Sequence, residues 1–119
     1  MVIRNKLLAL TLFSWTMLVA CKEKTLVEQW HTGSVTTRVE ILYKYADLLK
    51  VGMPKEEVWT LLMPGAVPEF DKPVSSASDL PDNGFGDFYV AQKPGEPTGA
   101  VGISVGFENG ALSSKQVFN

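Results

Sequence analysis

The chain has 119 residues, of which 11 are basic and 13 acidic, so its formal charge at pH 7 is −2 with its single histidine neutral. This length suits one small domain. The charge balance argues against the basic surface that nucleic-acid binding requires. One cysteine cannot form a disulfide within the chain, so the fold depends on burial of apolar side chains.

The first 21 residues combine a basic segment, an uncharged run and the only cysteine of the chain. A basic segment with Arg4 and Lys6 precedes an uncharged run of fourteen residues, 7–20. This run is shorter than the roughly 20 apolar residues of a spanning helix. It ends in LVAC, which is similar to the lipobox of bacterial lipoproteins and contains the only cysteine, Cys21. The resemblance implies cleavage before Cys21 and attachment of a diacylglycerol to its thiol; the alternative is an ordinary secreted protein with an incidental cysteine at its cleavage site.

The lipobox divides the chain into three predicted parts. Residues 1–20 are a cleaved signal peptide, residues 21–35 are a lipidated tether, and residues 36–119 form the folded domain. Cleavage would leave 9 basic and 13 acidic residues, a formal charge of −4. Within the tether, Trp30 is able to dock onto the domain or to bind a partner.

The first predicted helix of the domain begins near residue 36. Between residues 41 and 49, apolar side chains recur at spacings of three and four, which places them on one helical face. Gly52 is predicted as the left-handed residue that follows this helix. In such a Schellman ending, Met53 would contact Leu48.

A second predicted helix follows almost at once. Pro54 suits its first positions, and Glu56 and Glu57 are placed favourably for the helix dipole. The helix must end before Pro64 and Gly65. The short connection predicts that the two helices pack as a hairpin.

A long loop and three strands are predicted for the rest of the chain. Residues 66–84 form the loop, with a short strand possible near Phe70. The strands are the segments FGDFYVAQ, AVGISVGF and ALSSKQVF. The dipeptide Asn109-Gly110 between the last two segments is a strong signal for a two-residue hairpin turn.

This order of elements predicts an α+β fold, in which a two-helix hairpin packs on one face of a three-stranded antiparallel sheet. Strict alternation in AVGISVGF places its four large apolar residues in the core. The opposite face of that strand carries only Ala, Ser and Gly. It is interpreted either as a plain solvated face or as a flat surface that another chain or a lipid could approach.

The segment LLKVGMPKEEVWTLLMPGAV resembles the helix corner of the SmpA/OmlA (BamE-like) family of small outer-membrane lipoproteins. The positions that match the family motif are Gly52, Met53, Lys55, Glu56, Glu57, Val58, Leu61 and Leu62. The resemblance covers about residues 36–118 and implies the ααβββ unit that also resembles the modules of β-lactamase inhibitor proteins. Two departures are Pro54, where the family has a hydroxyl residue, and the order Met-Pro-Gly after the second helix.

Residues with catalytic potential are few. His31 is the only histidine and lies in the predicted tether, and acylation would consume the thiol of Cys21. The loop DLPDNGFGD offers oxygen ligands suited to Ca²⁺, but its spacing is not that of an EF-hand and its residues also suit turns. We therefore expect no catalytic residue, metal or cofactor.

The candidate partner surface consists of aromatic residues. Trp59 is predicted at the edge of the apolar face of its helix, as a residue at the rim of the core or as an anchor for a partner. Trp30 and Phe70 are the other two candidates.

The sequence predicts a non-catalytic protein, anchored through lipidated Cys21 in the outer membrane of a Gram-negative bacterium and facing the periplasm. The family resemblance implies binding to envelope proteins, among them components of outer-membrane protein assembly. The alternative is an inhibitor or immunity lipoprotein that blocks a periplasmic or incoming enzyme with residues 66–84 and the exposed sheet face. Neither prediction includes nucleic acid or a small-molecule substrate.

Overall fold

The computed structural model describes residues 24–93 and 96–119. These residues form three α-helices and a four-stranded antiparallel sheet. The helices are α1 (Leu26–Thr32), α2 (Val35–Leu48) and α3 (Lys55–Leu62). The strands are β1 (Ala66–Glu69), β2 (Gly84–Lys93), β3 (Glu96–Glu108) and β4 (Ala111–Phe118), and their order in the sheet is the order in the chain.

The fold is α+β, but the predicted two-helix hairpin on a three-stranded sheet is wrong. Helix α1 lies in the segment predicted as a tether. It begins where the Thr25 hydroxyl accepts a hydrogen bond from the Glu28 amide at 3.1 Å. Strand β1 occupies the start of the segment predicted as a loop, and it pairs with β2 so that Ala66 lies opposite Val90. The short strand allowed near Phe70 is thus present and ends one residue before it. Helix α1 was not predicted, and its buried Trp30 joins it to the core.

The predicted ending of the first domain helix is also wrong. Helix α2 ends at Leu48, and Gly52, with φ of 95°, lies in a turn that follows. In this turn the Met53 amide donates to the Lys50 carbonyl at 2.9 Å. Glycine is suited to the positive φ of such a turn, so Gly52 shapes the connection rather than the helix end.

The connection between α2 and α3 pairs with the beginning of β4. The Gly52 amide donates to the Leu112 carbonyl at 2.7 Å, and the Leu112 amide donates to the Met53 carbonyl at 2.8 Å. An isolated bridge joins Pro54 to Ala111. Pro54 caps α3 without a side-chain hydrogen bond, as its lack of a hydroxyl predicts. Helices α2 and α3 are therefore connected by a segment that pairs with the edge of the sheet, and not by the tight hairpin that was predicted.

The predicted turn between the last two strands is confirmed. Asn109 and Gly110 have φ of 52° and 76° and connect β3 to β4. Two successive positive φ values are the conformation of a type I′ hairpin turn.

One hydrophobic core lies between the helices and one face of the sheet. The alternation predicted for β3 is confirmed for three of its four large apolar residues, since Ile103, Val105 and Phe107 are 1 to 2% exposed, whereas Val101 is partly buried against the core. The helical residues that meet them are Trp30, Ile41, Leu42, Tyr45, Val58 and Leu62. Each such side chain contributes about 1.5–3 kcal/mol by burial. In the part of the chain that the structure describes, no helix has the length and apolar character needed to cross a membrane.

Candidate functional site

The predicted lipidation site, Cys21, lies outside the described residues, which begin at residue 24. Cleavage before Cys21 and acylation of its thiol therefore stay predictions. Helix α1 begins five residues after that position, so a lipid on Cys21 would be joined to the folded domain by a short segment.

Trp30 is part of the core and is 1% exposed. The centroid of its indole ring lies 4.7 Å from the centroid of the Tyr45 ring. Its Nε1 donates a hydrogen bond to the Leu62 carbonyl at 2.8 Å. Gly65 makes room for this ring, because a Cβ atom at that position would lie 2.2 Å from the indole nitrogen. The structure therefore leaves the indole no free surface for a partner.

Trp59 and Phe70 both contact one buried ring. Both pack edge-on against Phe88, with ring centroids 6.4 Å and 5.5 Å away. Both are half-buried and pack against the core. Phe70 also lies over Gly86, where a Cβ would approach its ring to 2.0 Å. Trp59 thus occupies the rim position predicted for it, and part of each ring is held by core contacts.

The polar residues of the acidic loop have separate partners. Asp79 accepts hydrogen bonds from the amides of Ser75 and Ser76 at 2.9 and 3.1 Å. The bond from the Ser75 amide is the largest of the effects that lower the pKa of Asp79. Among residues 24–93 and 96–119, no group of three or more His, Cys, Asp or Glu side chains is arranged to hold a metal ion.

Lys55 fixes the end of this loop against the helices. Its ammonium is 2.8 Å from the Leu80 carbonyl and 2.9 Å from Asp82 Oδ1. The Asn83 side chain then accepts a hydrogen bond from the Asn109 amide at 3.1 Å. The corner motif, the loop and the hairpin turn are thereby joined, so the matched lysine of that motif has a structural role here.

The outer face of the sheet, opposite the helices, carries the most exposed of the large apolar side chains among the described residues. Phe85 on β2 is 77% exposed. It lies opposite Gly106 of β3, and a Cβ on that glycine would approach the Phe85 ring to 2.8 Å. The ring therefore rests on bare backbone and presents its other face to solvent.

A pair of aromatic rings lies over Gly102, a second outward glycine of β3. Tyr89 and Phe118 meet edge to face with centroids 5.3 Å apart. Both residues lie beside Gly102 in the strand register. A Cβ on Gly102 would come within 2.9 Å of the Phe118 ring. Aromatic rings from the neighbouring strands occupy the space above these glycines. The interpretation of this face as plain and solvated is therefore incomplete.

The outer face also contains a shallow depression with a volume of about 580 Å³. Three carboxylates line it, those of Glu69, Asp71 and Asp87. The Ser104 hydroxyl donates to Asp87 Oδ1 at 2.6 Å and fixes this carboxylate on the surface. Loss of hydration, and after it the charges of Glu69 and Asp87, raise the pKa of Tyr89.

The only cation that lines this depression within the described residues is Lys115. Its ammonium is engaged elsewhere, since it donates to the carbonyls of Ala46 and Leu49 at the end of α2. The depression is therefore acidic as well as aromatic.

Sequence reasoning named neither Phe85 nor Tyr89 as a site residue. A usable signal was present, because alternation along FGDFYVAQ places Phe85, Asp87 and Tyr89 on one face. Their position above the glycines of β3 depends on the pairing of β2 with β3. The register, and not the strand alone, assembles this surface.

A second depression of about 410 Å³ lies beside β1 and includes His31 and Arg38. Arg38 donates to the carbonyls of Gly33 and Ala91 at 2.6 Å each. Lys93 also lines this depression, whereas no serine, threonine, cysteine or carboxylate side chain lines it with His31 as the structure describes it.

In comparisons with known proteins, no family model, no curated protein and no solved structure matches the chain. The resemblance to the SmpA/OmlA family therefore stays a prediction from the corner motif.

Proposed function

We propose that this protein is a non-catalytic, lipid-anchored module of the Gram-negative cell envelope that binds another protein through the outer face of its sheet. The observation that carries the proposal is the 77% exposure of Phe85 on that face. Exposed aromatic side chains on a rigid surface are typical anchors of protein interfaces.

The polar side chains favour binding over catalysis. Lys55, Asp79 and Arg38 all have partners within the fold. Catalysis by acid–base or nucleophilic chemistry needs such groups converging on one site. Among the described residues, these three groups lie apart, in the loop, at the helix corner and on α2, and the carboxylates of the outer depression have no histidine beside them.

The sequence favours one cellular location for the protein. The lipobox ending at Cys21 favours anchoring in the outer membrane on the periplasmic side, and the corner motif favours a role in the assembly or maintenance of envelope proteins. Stable anchoring requires more than one acyl chain, which the lipidation pathway of such a signal would provide.

Affinity purification tests the proposal. The tagged full-length protein would be recovered from crosslinked cell envelopes, together with the variant Phe85→Ser. We expect resident outer-membrane proteins with the wild type and their loss with Phe85→Ser. Val51→Ser is the matched control, because Val51 is 66% exposed in the turn between α2 and α3. Equal recovery with all three proteins would contradict the proposed face.

Anchoring is tested separately with Cys21→Ala. This variant should fold normally but leave the membrane fraction. A variant that remains bound to membranes would refute lipidation as the anchor. This result would not bear on the proposal that the protein binds another protein.

An inhibitor or immunity role is the second candidate, and the ordered loop favours it. Asp79 accepts hydrogen bonds from the Ser75 and Ser76 amides, and Lys55 donates to the Leu80 carbonyl. These bonds order the middle of the loop, and a preordered loop lowers the entropic cost of binding. Recovery of one toxin or cell-wall hydrolase at equal stoichiometry, lost when the loop is altered, would favour this role over assembly.

A further inference from the structure

The outer face combines aromatic rings that pack on the sheet with carboxylates, one of which is held by a hydrogen bond. Phe85 rests on Gly106, and Tyr89 packs edge-on against Phe118. Rings held in this way lose little conformational entropy when a partner covers them.

Four polar residues, two of them charged, form a row across the strands of this face. Glu69 lies opposite Asp87, and Asp87 lies opposite Ser104, which lies opposite Gln116. The Ser104 hydroxyl occupies Oδ1 of Asp87, while Oδ2 has no hydrogen-bond partner among the described residues. A donor arriving from outside could therefore bind this carboxylate without breaking an existing bond.

The field of this row is not neutralised from within the sheet. Lys115 belongs to the same strand as Gln116, but its ammonium binds the carbonyls of Ala46 and Leu49 on the helical side. The outer face is thus complementary to a cation, and it is unsuited to phosphate, nucleic acid or anionic lipid.

Aromatic rings beside carboxylates recognise a cation that is attached to an apolar group. A Lys or Arg side chain can pair with the carboxylates and lie over the ring of Phe85 or Tyr89. An adjacent apolar side chain would cover the rest of the ring. The depression of about 580 Å³ is open and spans several strands, which suits a length of polypeptide better than a small ion.

We propose that the outer face binds a polypeptide segment in which a Lys or Arg stands beside an aromatic or aliphatic residue, with the cation at Glu69 and Asp87 and the apolar side chain on Phe85. This inference rests on the proposed function and names the chemistry of the partner.

Site-specific photocrosslinking in cells tests it. A benzophenone amino acid would replace Gln116, an exposed residue of the outer face, in the full-length protein. A second strain would carry it in place of Tyr43, which is 56% exposed on α2. Mass spectrometry would then identify the crosslinked peptide and its sequence around the attachment point.

We expect crosslinks from position 116 to peptides with Lys or Arg within a few residues of an apolar side chain. The double variant Glu69→Gln, Asp87→Asn should lower their yield by roughly fivefold, the factor that corresponds to about 1 kcal/mol of charge coupling. The control variant Glu56→Gln, Glu57→Gln removes two exposed carboxylates at the start of α3 and should leave the yield unchanged. Glu69→Gln alone, at an exposed edge position, gives the same test if Asp87→Asn alters folding.

Other outcomes would overturn the inference. Peptides without a basic residue, crosslinks to lipid, or a yield insensitive to Glu69 and Asp87 would each do so. Crosslinks to protein only from position 43 would overturn this inference and the use of the sheet face while leaving protein binding in place. No protein crosslink from either position would overturn the proposed function as well.

Discussion

The indole nitrogen of Trp30 lies 2.8 Å from the carbonyl oxygen of Leu62 and donates a hydrogen bond to it. Leu62 is the last residue of α3, where helical carbonyls have no partner within the helix. Gly65 leaves the space that the indole ring fills. Helix α1 is therefore joined to the end of α3, and the folded domain begins before the residue at which sequence pattern places it.

Trp30→Phe should lower the free energy of unfolding by about 1–3 kcal/mol, because it keeps an aromatic ring but leaves the buried Leu62 carbonyl without its donor. Urea denaturation at neutral pH measures the change. Trp59→Phe is the matched control, since Trp59 is half-buried and packs at the rim of the core. A loss for Trp59→Phe as large as that for Trp30→Phe would show that ring volume, and not the hydrogen bond, is responsible.

Lys115 stabilises the end of α2 through the carbonyls of Ala46 and Leu49. Lys115→Met retains the length and apolar stem of the side chain but removes a charged donor, so we expect a loss of about 1–3 kcal/mol. Lys44→Met, at an exposed position of α2, should change stability by less than about 0.5 kcal/mol. Equal thermal denaturation of the two variants would contradict a stabilising role for Lys115.

The two partners of Lys55, Asp82 and the Leu80 carbonyl, should contribute differently to the free energy of unfolding. Its pair with Asp82 is at the surface, where the Asp82 side chain is 68% exposed, so Asp82→Asn should cost less than about 1 kcal/mol. Lys55→Met also removes the bond to the Leu80 carbonyl and should cost more. Chemical denaturation of both variants in low and high salt separates the effects, because only the ion pair should weaken with salt. The reverse order of stabilities would refute this division.

Order in the acidic loop should depend on pH through Asp79. The Ser75 amide, and after it the Ser75 hydroxyl, lower the pKa of Asp79 below its ordinary value of 3.8. A depressed carboxyl pKa means that the stabilising effect is complete above the ordinary value and is lost as pH falls through the lowered one. NMR titration of the Ser75 and Ser76 amides from pH 6 to acid should follow this transition.

Asp79→Asn provides the control for that titration. It should remove the acid transition from the Ser75 and Ser76 amides, while the amide chemical shifts of the sheet residues stay unchanged. If the wild-type amides are unaffected by pH, or if they titrate at or above the ordinary carboxyl value, the assigned hydrogen bonds do not govern the loop.

Local pattern by itself determined the elements whose signals are complete within a few residues. The alternation of Ile103, Val105 and Phe107 defines the buried face of β3 because side chains in a strand point to opposite sides. Asn109 and Gly110 define the last hairpin because both tolerate positive φ. The second predicted helix also lies between its expected limits.

Only the tertiary structure decided the elements and the surface that depend on distant partners. Four residues containing Pro68 become strand β1 because β2 pairs with them, and Gly52 extends the edge of the sheet because Leu112 binds it. The candidate site has the same origin. The Phe85 ring lies on bare backbone only because the strand register places Gly106 opposite it. The two residues are on different strands, and local pattern does not give the register between them.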